Sequence, residues 1–136
     1  MVKRVLLSTL GGAVTTFLFG WLVMGLVFAS LMKEMMETAG SCFTAEPGMV
    51  FIALANVTIC LLFSLLFVKM NVSTFKSGLL HGAWITFLMI VWYDVWMLAT
   101  MDFMQPKFMV FDVIGNTIIG TLGGGVIGWI LGKVKE

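Results

Sequence analysis

Two carboxylic acids interrupt sequence that is otherwise apolar enough for a membrane interior. Asp94 stands between Trp92 and Trp96 in VWYDVWMLAT, and Asp112 stands in KFMVFDVIGN. A charge there costs at least ~2.5 kcal/mol on insertion scales, so each acid must be protonated, paired or in contact with water. No Lys or Arg lies at the depth of Asp94, which leaves Asn56, Asn116 and Tyr93 as hydrogen-bonding partners. These residue types suit reversible binding of a cation, a proton or a small polar ligand. The expectation is an outward-open polar cavity lined by Asp94, Asp112, Asn56 and Asn116. Trp92 and Tyr93 would add an aromatic wall able to hold a cation or a flat ligand. The plainer alternative makes Asp94 a hydrogen bond between helices and nothing more.

Sulfur offers a second chemistry. Eight of the 12 methionines fall at or beyond one end of the apolar runs. Thioethers are soft ligands for Cu(I), and Met32 with Met36, or Met97 with Met101, share a helix face. Against that, methionine is a ready filler of irregular apolar gaps. Cys42 and Cys60 differ too much in depth to form a disulfide, so two free thiols are expected. His81 is the single histidine, and with no thiol or carboxylate at its depth it builds no metal site.

Enzyme signatures are missing. The chain has no phosphate-binding loop, no nucleophile elbow and no zinc-binding helix motif. Asp94 and Asp112 fall at different depths by hydropathy and lack glycine-flanked catalytic motifs, which argues against an intramembrane aspartyl protease. A non-enzymatic protein without a cofactor is expected. A net charge of +1 and the lack of a basic stripe with interleaved aromatics speak against a nucleic-acid partner.

The elements that must carry these residues follow from composition. Of 136 residues, 60% are hydrophobic and 11% charged, too apolar for an ordinary soluble domain. Continuous apolar runs give an all-α, four-helix transmembrane bundle, one domain over 1–136, with spans near 5–32, 47–68, 77–100 and 109–132. Each reaches the ~20 residues needed to cross ~30 Å of hydrocarbon. A strand barrel would instead show short alternating segments. The first run, 28 residues long, is too long for the core of a cleaved signal peptide. The charged KEMME segment, lying where a lipoprotein cleavage box needs apolar residues, argues against lipidation at Cys42.

Basic residues set the expected orientation. Lys3, Arg4, Lys69, Lys76, Lys133 and Lys135 belong to the two termini and the middle loop, while Lys33 and Lys107 occupy the other loops. That places both termini in the cytoplasm, in a bacterial inner membrane. Short loops make neighbouring spans antiparallel, in up-down-up-down order. LMKEMMETAG reads as a helical extension of the first span, stopped at Gly40. Thr44-Ala-Glu-Pro reads as a helix start, with Thr44 as N-cap, Glu46 near the positive end and Pro47 in the first turn.

Every span also carries small or polar residues four apart. They are Gly12, Thr16 and Gly20; Asn56, Cys60 and Ser64; Gly78, Gly82, Thr86, Ile90 and Asp94; and Asp112, Asn116, Gly120, Gly124 and Gly128. In lipid, helices associate through close backbone approach and interhelical hydrogen bonds, so these rows are expected as packing seams. The glycines of the fourth span suit either a seam within the chain or one between subunits of a homo-oligomer. An accessory protein that packs partner helices against its glycine faces is the alternative to a ligand-binding one.

FLFGWLVMGLVF in the first span, GLLHGAWITFLM in the third, and FDVIGN with GGGVIGWILGK in the fourth together resemble a family of small four-helix integral membrane proteins known as domain of unknown function 1761. The likeness covers nearly the whole chain, although the family's aromatic-rich turn is replaced by Leu22-Val23-Met24. It implies the four-span architecture and carries over no catalytic or binding residue.

Overall fold

The computed structural model describes residues 1–44 and 48–134. Among the described residues five α-helices follow in order: α1 (Val2–Leu22), α2 (Ala29–Ala39), α3 (Met49–Lys69), α4 (Phe75–Thr100) and α5 (Pro106–Lys133). A π-helical turn, Val23–Val27, prolongs α1, and a 3-10 turn, Gly40–Cys42, follows α2. Four stretches are long and apolar enough to cross a membrane: Val2–Val27, Met49–Lys69, Phe75–Thr100 and Pro106–Lys133.

Local chemistry sets the boundaries. Thr74 caps α4 by accepting from the Ser77 backbone N–H at 3.1 Å. Pro106 opens α5, where its missing N–H costs nothing. At the end of α3, Asn71 takes φ 55° while its N–H bonds Val68 O and that of Val72 bonds Phe67 O. That is a Schellman turn with asparagine in the left-handed position, and Val72 buries itself against the helix it ends.

Two expectations change. The first span and its extension are not one helix: Phe28, at φ −102° and ψ 19°, breaks the chain between the π turn and α2. Gly40, at φ 56°, does end α2. Thr44 is not the cap of α3, whose N-cap is Gly48; Glu46 and Pro47 lie outside the described residues, as does Lys135.

The packing is built on small residues. Along α4 and α5, Gly78 lies against Gly124 and Gly128, Gly82 against Gly120 and Gly124, and Thr86 against Gly120. Each step of four down one helix matches four up the other, so the two run in opposite directions. A Cβ on Gly124 would sit 2.6 Å from Gly78 O and 2.8 Å from Gly82 Cα. On α1, Gly12 and Thr16 meet Ile127 and Gly123 of α5, again antiparallel. Arg4 Nη2 donates to Leu131 O at 2.7 Å and ties the start of α1 to the end of α5.

The α1–α3 pair is held by hydroxyls. Ser8 donates to Ser64 at 3.0 Å, and Thr9 donates to the same oxygen at 3.2 Å. Helix α5 therefore packs on α1 and α4, α3 packs on α1 and more lightly on α5, and α3 and α4 are not packed along their length. Two apolar clusters fill the bundle. One, around Phe63, Phe67, Ile127 and Leu131, lies toward the chain termini; the other, around Phe108 and Phe111, lies toward α2.

Candidate functional site

The α4–α5 register decides where the acids go. Continued beyond Thr86 and Gly120, it sets Ile90 opposite Asn116 and Asp94 opposite Asp112. The two carboxyl groups lie within side-chain hydrogen-bonding reach of each other. Asp94 is only 2% exposed, and its Oδ2 is buried with no hydrogen-bond donor. Two carboxyl groups that face each other can share a proton or a cation.

The expected difference in depth between the two acids is thus corrected. Asp94 lies six residues inside the end of α4, and Asp112 lies six residues inside the start of α5. Both are about 9 Å from their helix ends at 1.5 Å per residue. Hydropathy hid this because Lys107 and Asp112 shorten the apolar run, whereas the helix itself begins at Pro106.

Neighbours above and below the pair differ in character. On the α2 side, Phe108, Phe111 and Met104 form a buried plug, with the Phe28 ring tilted against Phe111, centroids 5.6 Å apart. Lys107 lies over it, 5.0 Å from the Phe108 ring centroid and paired with Glu34 of α2. On the other side, Asn116 Nδ2 donates to the Asp112 backbone O at 3.1 Å.

Beyond Asn116 lies a cavity of about 160 Å³ lined by residues of α1, α3, α4 and α5. Its polar wall is Thr16, Asn56, Cys60, Thr86 and Asn116. Thr16 donates to Asn56 Oδ1 at 3.2 Å and lies 3.5 Å from Cys60 Sγ, while Asn56 Nδ2 donates to Ile52 O. A more open groove shares Thr16, Asn56 and Asn116 and reaches Met49 at the start of α3. Neither Asp94 nor Asp112 lines this cavity, which reaches the acid pair's row only at Ile90 and Asn116, one turn away, and which α3 and α4 flank without close backbone approach.

The structure brings Asp94, Asp112 and Asn116 together and sets Asn56 across the adjoining cavity. It does not bring in the aromatic residues. Trp92 is 72% and Tyr93 47% exposed on the outside of the bundle. The helical period already requires this, because residues one and two positions from Asp94 point away from its face.

The methionines divide as well. Met32 and Met97 pack on the Phe108 cluster, whereas Met36 and Met101, their partners in the expected pairs, are exposed. Met24, Met35, Met104 and Met109 fill the cluster instead. Of the glycines assigned to packing, Gly12, Gly78, Gly82, Gly120, Gly124 and Gly128 make close contacts, while a Cβ on Gly20 would meet only Ile119 Cδ1 at 4.0 Å. Cys60 and Thr86, not assigned to the site from sequence, belong to the rows that carried Asn56 and Asp94, and Thr16 belongs to the small-residue row of the first span.

No protein-family model matches the chain, and comparison with curated proteins and with solved structures returned no match.

Proposed function

We propose that this is a non-catalytic multi-pass membrane protein of transporter or channel type, with the Asp94–Asp112 pair as its proton-binding site. The observation that carries this reading is the buried, donorless Asp94 oxygen facing a second carboxyl group inside a membrane-spanning helix pair. Ionisable groups at that depth are rare and commonly mark ion or proton pathways. A cation in place of the proton is the variant of the same reading.

The proposal includes an up-down-up-down bundle with both termini cytoplasmic, following the basic residues of the termini and middle loop, in a bacterial inner membrane. It also includes kinship with the four-helix family the motifs resemble. The scaffold alternative is weakened because Gly78, Gly82, Gly120, Gly124 and Gly128 are occupied within the chain. A homo-oligomer would instead use the apolar start of α3, where Val50 is 78% and Phe51 75% exposed.

Infrared difference spectroscopy of the reconstituted protein across a pH titration tests the site. The wild type should show a protonated-carboxyl band that titrates, and Asp94→Asn should remove it. Proteoliposomes with an entrapped pH dye test transport on the same material. A wild-type spectrum with no titrating carboxyl band, or one unchanged in Asp94→Asn, refutes the proposal.

A further inference from the structure

The acid pair does not use the neighbouring cavity, whose position and lining point to a second site. We infer that this cavity is a binding site for a bilayer-soluble molecule of about one ring in size bearing a single hydroxyl-like group, admitted sideways between α3 and α4.

Four observations carry this. The volume, about 160 Å³, matches cavities of ~150 Å³ that hold one benzene-sized guest. Much of the wall is apolar, with Ile59, Phe63, Met89 and Ile127 among its residues, so a hydrated ion gains little there. One side presents the Asn56 amide, the Thr16 hydroxyl and the Asn116 amide, which offer both donors and acceptors to one small polar group. Finally, α3 and α4 are the helices that fail to pack together around it, and the lining residues 56–63 and 86–90 lie at the middle of their spans. A mouth at that depth opens on hydrocarbon, where solutes arrive from lipid. Phe67 against the His81 ring, centroids 6.2 Å apart, closes the same cleft toward the α3–α4 turn.

Cys60, 2% exposed in the wall, provides the reporter. With Cys42→Ser as background, Cys60 is the only thiol, and its alkylation is followed by intact mass in native-like vesicles. N-ethylmaleimide, which dissolves in the bilayer, should modify Cys60, and a sulfonated maleimide confined to water should not. Met89→Trp, at a partly exposed position on the cavity wall, should slow the reaction without changing the melting curve. p-Cresol should protect Cys60 about five- to tenfold better than toluene, the difference expected of one hydrogen bond. Failure of N-ethylmaleimide to react, equal reaction with the sulfonated reagent, no effect of Met89→Trp, or equal protection by cresol and toluene overturns the inference. Because no carboxyl group takes part, these outcomes are independent of the Asp94 titration.

Discussion

Gly124→Ala tests the contact that sets the α4–α5 register. The added methyl would meet backbone, not a side chain that can turn aside: Gly78 O at 2.6 Å and Gly82 Cα at 2.8 Å. Ordinary contact begins at 3.4 Å, so α4 must retreat by about 0.6–0.8 Å, a gap that forfeits a quarter to a half of each dispersion contact it opens. Overpacking of this kind costs about 1–3 kcal/mol, and the higher helix propensity of alanine returns up to about 1 kcal/mol. The net expectation is a loss of about 1–2 kcal/mol, roughly five- to thirtyfold in the folding equilibrium. Reversible unfolding in mixed micelles with increasing dodecyl sulfate, read by circular dichroism, measures it. Gly20→Ala is the matched control, since its methyl meets only Ile119 Cδ1 at 4.0 Å. It should be neutral or slightly stabilising. Equal stability of the two variants would show that close backbone approach at Gly124 does not hold the helices together.

The same assay separates two roles for Asp94. Asp94→Asn can donate to Asp112 and should keep nearly wild-type stability, whereas Asp94→Leu leaves Asp112 without the partner facing it on α4 and should cost about 1–3 kcal/mol; equal effects would mean that the carboxyl groups are not bonded. Phe108→Ala removes a fully buried ring from the plug beside the acids and should cost about 3–5 kcal/mol, with a loss below about 1 kcal/mol contradicting close packing there. Ser64→Ala removes the acceptor shared by Ser8 and Thr9 and should cost about 0.6–1.7 kcal/mol, the range for interhelical hydrogen bonds in membranes. A silent substitution would mean that the two hydroxyls find other partners.

Much of the fold can be read from the chain alone. Apolar length gives four helices long enough to cross a membrane, because a span must satisfy its backbone internally over the thickness of the hydrocarbon. Period-four rows of small and polar residues mark the faces that pack. The same periodicity also excludes Trp92 and Tyr93 from the face of Asp94, although composition alone made them attractive neighbours. Helix ends were harder to place: Lys107 and Asp112 shortened the fourth apolar run although the backbone is already helical at Pro106.

Only the tertiary structure decides which row meets which. A row of glycines marks a face but names no partner and no register, since a notch without a side chain accepts any surface that fits. The register follows from Thr86 lying against Gly120 and from the backbone contacts of Gly78, Gly82 and Gly124, two turns and more from either acid. It places Asp94 opposite Asp112, while α3 and α4 flank the open space without close backbone approach. The acid pair and the cavity thus arise from packing between distant segments, a steric property of two surfaces together that neither segment encodes by itself.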